Sequence, residues 1–466
     1  MTHAVNNWDT LSWEDQQELQ DKKIRTMVQE VAKYHPAYKK LMKENDINPA
    51  DINSVDDFVK NFPFTEKKDI APTDDNPFKP SYFLMQKVED PAYQPRFMIA
   101  TTGRTSFSTP FWYTNWDLDN IMAVVARRVM EVTGMTKKDV IVNSFPYSPH
   151  LAFWLVYYAT TGNRLTAIHT GGGKILGTQK IMNITYSLKG SVFVGVPGYM
   201  YHVFKTALGS ERFLSDIRLL ITGGDRCTRT FRKRIGSLLQ NMNANDTRIC
   251  AAYGFTESRV APLECPHPDG VDGELTGYHT YPDLEFWYCI DPKTGERVGP
   301  GERGELVWTA LGGRGTIVMN YRTGDIADGG IIYEKCPWCG RTVPRISSMI
   351  SRRSEVKDVQ FDKVKGTLID LNQFYSVMPT FEDVDEWQVI LKQGESMIDE
   401  LIINVSPRKK RKFNESKFKR ELMAHVKREM EITPNQVNVM TADEISRSLG
   451  METQLKEKRI LDLRPR

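Results

Sequence analysis

Residues 247–257 read TRICAAYGFTE. A short apolar run ends in an aromatic, a glycine, a hydroxyl and a carboxylate at Tyr253, Gly254, Thr256 and Glu257. Such a run, closed by turn residues, reads as a buried strand entering a turn. Four runs of the same texture precede it: DVIVNSF (139–145), NRLTAIHT (163–170), GSVFVGVP (190–197) and IRLLITGG (217–224). Helix-like segments separate them, which predicts a buried parallel sheet with crossover helices. Ligands of such sheets bind outside the carboxyl ends of the strands. The endings GVPGY, TGGD and YGFTE therefore converge on one crevice.

The rest of the chain has other textures. Residues 14–46 space their apolar positions as helices do. Residues 284–332 alternate strands with Gly/Pro turns and predict antiparallel pairing. Beyond 350 comes a smaller α+β segment. The fold class expected is α/β: a large N-terminal part (1–350) with parallel and mixed sheets and a β-rich extension, followed by a small C-terminal α+β domain (351–466). The 466 residues exceed one ordinary core. With 62 Lys+Arg against 59 Asp+Glu, a net charge of +3 gives no whole-chain case for nucleic acid or an anionic membrane. No apolar run reaches the roughly 20 residues that span a bilayer, and the N-terminus lacks a secretory pattern. A cytoplasmic protein, monomer or homodimer, is the default expectation, with six cysteines read as thiols or metal ligands.

Four segments carry candidate chemistry. ATTGRTSFSTP (100–110) offers backbone and hydroxyl donors to phosphate through Thr101, Thr102 and Gly103, with Arg104 as its cation. TGGD (222–225) contributes Gly223, Gly224 and Asp225 at a strand end. In YGFTE, Thr256 is placed for a phosphate and Glu257 for Mg²⁺, which takes one or two carboxylates plus phosphate oxygens. In NYRTGDIAD (320–328), Asp325 is placed to accept from both hydroxyls of a ribose.

In this order the segments resemble the adenylate-forming acyl-CoA synthetases, and most closely the phenylacetate–CoA ligase branch. YGFTE and YRTGD with GERGELV between them carry most of the resemblance. It extends from YHPAYKKLMKENDINPADINSVDDFVKNFPFTEKKDI through FWYTNWDLDN, NSFPYSP, VGVPGYMYHV, ECPHP and CPWCGRTVPRI to LKEKRILDLRP. The resemblance implies ATP and a carboxylate giving an acyl-adenylate, then rotation of the small domain and thioester formation with coenzyme A. It implies Tyr253 and Gly254 at the adenine with Gly223 and Gly224, Thr256 at the α-phosphate, Glu257 at Mg²⁺, and Asp325 and Arg352 at the ribose. It makes Lys456 the catalytic lysine of the first step, with Lys458 as the competitor. Departures are visible: Ser106 and Phe107 stand where the branch has Gly and Lys, Leu455 precedes Lys456, and SRRSE (351–355) replaces the usual hinge sequence. After the hinge, KVKGT (363–367) supplies Gly366 for the glycine-rich loop. An enzyme loading a carrier-protein thiol or an amine, and a non-catalytic nucleotide binder on the same fold, are the alternatives.

Two further groupings stand out. Cys336 and Cys339 form a C-x₂-C knuckle, and Cys265 with His267 completes a Cys₃His set suited to a structural zinc; members of the branch carry a similar site. Cys227, Cys250 and Cys289 lie in or beside apolar runs and read as core. FPYSPHLAFWLVYY (145–158) places Phe145, Tyr147, Phe153 and Trp154 either in the core or around a flat aromatic acid. The basic run 408–421 reads as an exposed helix face, or as a partner for the phosphates of coenzyme A.

Overall fold

The computed structural model describes residues 7–101, 108–119, 123–352, 362–364, 367–369, 374–393, 399–408, 413–430, 432–450 and 458–463. All five expected strands form one parallel sheet, in the spatial order Thr166–His169, Val140–Asn143, Val192–Gly195, Leu219–Thr222, Arg248–Ala251. Burial explains their unbroken apolar runs: every residue of Val192–Gly195 and Leu219–Thr222 is buried. The helices Pro197–Gly209 and Arg229–Asn241 are crossovers between consecutive parallel strands.

The antiparallel pairing expected within residues 284–332 is present in Tyr321–Asp328, Gly304–Ala310 and Glu285–Ile290, and Met349–Arg352, beyond that stretch, adds a fourth strand beside Tyr321–Asp328. A small sheet of Ile331–Ile332, Arg345–Ile346 and Tyr278–His279 lies beside it. The N-terminal helical stretch is two helices, Trp13–Tyr34 and Pro36–Glu44, broken where His35 precedes Pro36. A buried ion pair ties these layers together. Arg128 on the Ala123–Thr133 helix donates to both oxygens of Asp283 at 2.7 Å, and Trp8 lies 4.5 Å over the guanidinium.

The C-terminal segment has its own hydrophobic core. In the strand Val384–Gln393 the alternate residues Trp387, Val389 and Leu391 point inward. The helix Glu415–Met430 buries Phe418, Leu422, Val426 and Met430 at four-residue spacing against them. The tail strand Ile460–Asp462 closes this sheet by pairing in parallel with Val389–Leu391. Among the described residues, no helix is long and apolar enough to cross a membrane.

Candidate active site

The carboxyl ends of three neighbouring strands lie side by side, because Gly195, Thr222 and Ala251 stand in register. Backbone is packed tightly there. A Cβ at Gly195 would fall 2.1 Å from Ser144 Oγ, and one at Gly223 would touch the Phe145 ring and Ala252. Gly224 takes φ +79°, a left-handed conformation that glycine adopts without strain. Asp225 is exposed, and its carboxylate accepts the N–H of Arg226 at 2.7 Å.

Tyr253 and Asp325, 72 residues apart, meet across this edge: the tyrosine hydroxyl donates to Asp325 Oδ2 at 2.7 Å. Asp325 is buried, and Arg352 is its partner in the antiparallel register. Gly254 packs close to Val260 and Ala261, which leaves little room for a side chain. Thr256 and Glu257 follow in a short 3₁₀ turn. Glu257 is buried and accepts from the Tyr321 hydroxyl at 3.0 Å. An acceptor-only carboxylate at this place suits Mg²⁺ bound chiefly through phosphate oxygens.

The turn is braced by residues that the sequence pattern did not single out. Arg259 adopts φ +63° and donates to Asp117 at 3.2 Å. Asp117 also accepts the N–H groups of Arg314 and Gly315 and the hydroxyl of Thr114. Both members of the pair are buried, so the ion pair fixes where the chain leaves YGFTE. Sequence gives no signal for a pair 142 positions apart.

Thr101 closes the base of the predicted phosphate loop by two hydrogen bonds with Thr109: its Oγ1 accepts the Thr109 N–H, and its own N–H donates to the Thr109 carbonyl. Thr102, Gly103 and Arg104, with Ser106 and Phe107, lie outside the described residues, as do Lys456, Ser354, Glu355 and Gly366. Lys458 is described and exposed. Of the aromatics, Phe145 and Phe153 are buried, whereas Tyr147 is 59% exposed and sits edge-on to Phe153. Cys227, Cys250 and Cys289 are buried, as their apolar settings predicted.

The metal-ligand set differs from the sequence expectation. Cys265, Cys336 and Cys339 come together with His279, not with His267, and the four ligand atoms lie within 4.8 Å of one another. His267 is turned away: its Nδ1 accepts the N–H of Asp269, and its ring packs on Trp338. His279 arrives by strand pairing, because it bridges Leu263, two residues before Cys265. Its Nδ1 lies 3.0 Å from the Leu263 carbonyl, so Nδ1–H donates there and Nε2 faces the thiols.

The spacing tests well against zinc. Zn–S bonds of about 2.3 Å in a tetrahedron separate sulfurs by about 3.8 Å; Cys265 and Cys336 Sγ are 3.8 Å apart. Cys339 Sγ to His279 Nε2 is 3.2 Å, near the roughly 3.6 Å of a tetrahedral S/N edge. Hydrogen bonding from Cys265, then Cys336, pulls the Cys339 thiol well down, towards the thiolate a metal requires. The cluster is also wired to the site. Residues 262–264 pair with the end of the Arg248–Ala251 strand, through Tyr253 N–H to Pro262 O and Glu264 N–H to Ala251 O, both 2.9 Å.

A model of the AMP-binding enzymes matches residues 116–317. Phenylacetate–coenzyme A ligase of Thermus thermophilus is 24% identical over 404 residues, 85% of this chain and 82% of that protein. The Escherichia coli enzyme of the same name is 24% identical over 352 residues, covering 75% and 74%. The crystal structure of 2-hydroxyisobutyryl-CoA ligase with its acyl-adenylate superposes with TM-score 0.78 at 19% identity, over 98% of this chain and 91% of that one. The fold is that of 2-hydroxyisobutyryl-CoA ligase, and residues 116–317 are similar to the AMP-binding enzymes. In sequence the chain is similar to phenylacetate–coenzyme A ligases, at 24–26% identity over most of its length.

Proposed function

We propose that the chain is an ATP-dependent, AMP-forming ligase that activates an aromatic carboxylic acid, phenylacetate or another aryl acid, and transfers it to coenzyme A. The observation that carries the reading is the Tyr253–Asp325 hydrogen bond of 2.7 Å at the sheet edge, with Glu257 four residues along. A base-facing ring, a ribose-binding carboxylate and a metal-binding carboxylate then follow one another as the parts of a nucleotide do. The aryl preference draws on the names of the relatives and on Phe145, whose ring borders Gly223.

In the first step a carboxylate oxygen attacks the α-phosphorus, the bond to the β-phosphate breaks, and pyrophosphate leaves. Such a step needs alignment and charge stabilisation more than a nucleophilic side chain. Asp325 and Arg352 hold the ribose, Tyr253 with Gly223 and Gly224 the base, and Thr256 the α-phosphate; Glu257 would hold Mg²⁺, which would supply charge neutralisation at the phosphates. Lys456 supplies the cation at the reacting carboxylate. In the second step the thiolate sulfur of coenzyme A attacks the acyl carbon, AMP leaves, and the thiol proton passes to solvent. Residues 1–350 form the adenylating part and 351–466 the part that moves between steps. Cys265, His279, Cys336 and Cys339 would hold a structural zinc.

Carboxylate-dependent exchange of pyrophosphate into ATP, run over a panel of aryl and branched aliphatic acids, tests this. Exchange with aryl acids and thioester formation with free coenzyme A are expected. No exchange with any acid refutes catalysis, and exchange without thioester transfers the chain to the carrier-loading enzymes. Lys456→Ala should abolish exchange yet spare thioester formation from supplied acyl-adenylate; that pattern in Lys458→Ala instead would move the catalytic lysine by two.

A further inference from the structure

The two cores meet through a charged seam that none of the site residues explains. The strand Val384–Gln393 opens with Asp385 and Glu386, which face the two crossover helices of the parallel sheet. Lys205 and Tyr201, on the Pro197–Gly209 helix, both reach Asp385. Arg234, on the Arg229–Asn241 helix, donates to the Val384 carbonyl at 3.1 Å and lies 4.0 Å from Glu386 Oε1. Arg459 takes the other oxygen of Glu386 at 2.9 Å and lies over the Trp387 ring. The side chain of Glu386 is only 4% exposed, those of Arg234 and Arg459 14% and 15%. Arg226, just past TGGD, lies over Tyr375 of the small core.

Glu386 is thus one buried carboxylate shared by two guanidiniums. One belongs to a helix of the large core. The other lies three positions past Lys456, at the start of the tail strand. Without Glu386 the seam would leave two cations facing each other with little water, so this orientation depends on it. Buried charge pairs specify geometry more than they add stability.

We propose that Arg234, Glu386 and Arg459 are positioning residues of the adenylation step: they latch the C-terminal tail to the large core in the orientation that the first half-reaction uses. Lys205 and Asp385 form the outer half of the latch. The latch must open for thioester formation, because a contact made in one orientation alone shifts the balance between the two. This rests on the ligase reading above.

The experiment separates the half-reactions. Arg234→Ala and Glu386→Gln should lower pyrophosphate exchange about tenfold, within the usual range of coupling between sites. Thioester formation from supplied acyl-adenylate should be unchanged or faster. Lys205→Asp should share the defect, and adding Asp385→Lys should restore exchange. A structural role alone would slow both halves together, and that result overturns the latch.

Cross-linking provides a readout free of activity. Lys205→Cys with Asp385→Cys should be joined by a short bis-maleimide, less so when Arg234→Ala is added; five of the six native cysteines are buried, and single variants control for the sixth. The joined protein should exchange pyrophosphate but not form thioester. No cross-link refutes the latch whatever the enzyme's activity. No exchange by the unaltered chain with any acid refutes the ligase reading alone.

Discussion

Replacement of His279 by Gln tests how the metal cluster is built. Removing even an outer partner of a metal ligand costs 10–100-fold in affinity, so loss of the imidazole itself should cost at least about 100-fold. At a fixed free zinc level that converts to about 2.7 kcal/mol of lost stabilisation of the folded chain. His267→Gln should cost none of it, because His267 makes its contacts to Asp269 and Trp338. Zinc affinity would be measured by competition with a metallochromic chelator, and stability by urea unfolding at the same free zinc. The defect should reach the nucleotide, since residues 262–264 pair with Ala251 and Tyr253. ATP should bind more weakly while the dependence on coenzyme A is little changed. Full zinc content in His279→Gln, or an equal loss in His267→Gln, would refute the ligand set.

Tyr253→Phe removes a hydrogen bond to a buried carboxylate, worth about 1.5–3 kcal/mol for a charged partner, and should weaken ATP binding measured by calorimetry by at least tenfold. Asp117→Ala leaves Arg259 as a buried unpaired cation and should destabilise the chain by about 3–5 kcal/mol in urea unfolding; a loss below about 1 kcal/mol would show that the turn is held otherwise. Burial lowers the His35 pKa from 6.5 to about 4, with Nε2 on the Ile317 carbonyl and Nδ1 accepting from Tyr38. A depressed histidine stabilises the fold above pH 6.5 and loses that contribution as pH falls towards 4. The stability gap between the natural chain and His35→Gln should therefore narrow by about 3 kcal/mol over that window, and a constant gap would contradict a neutral buried ring.

Much of the architecture is local and can be read from the chain. Continuous apolar runs ending in glycine mark strands buried on both faces, and all five pair in one parallel sheet. Tyr253, Glu257 and Asp325 stand out in the sequence because strand ends and turn residues are short-range signals, and the fold brings Tyr253 to Asp325. Tyr321 was not: it stands beside Arg322 in an apparent turn, yet its hydroxyl holds Glu257.

His279 shows what tertiary structure decided. His267 is nearer to Cys265 along the chain, and spacing alone favours it. The register of Leu263 against His279 delivers the other ring to the thiols, and that register is set by the small sheet packed around it. The same holds for Arg259 with Asp117 and for Glu386 between Arg234 and Arg459. Periodicity tells each segment which face to bury, so the sequence by itself determined the parallel sheet and the antiparallel pairing beside it. Which charge meets which across two cores depends on how those faces pack, and only the folded chain decides it.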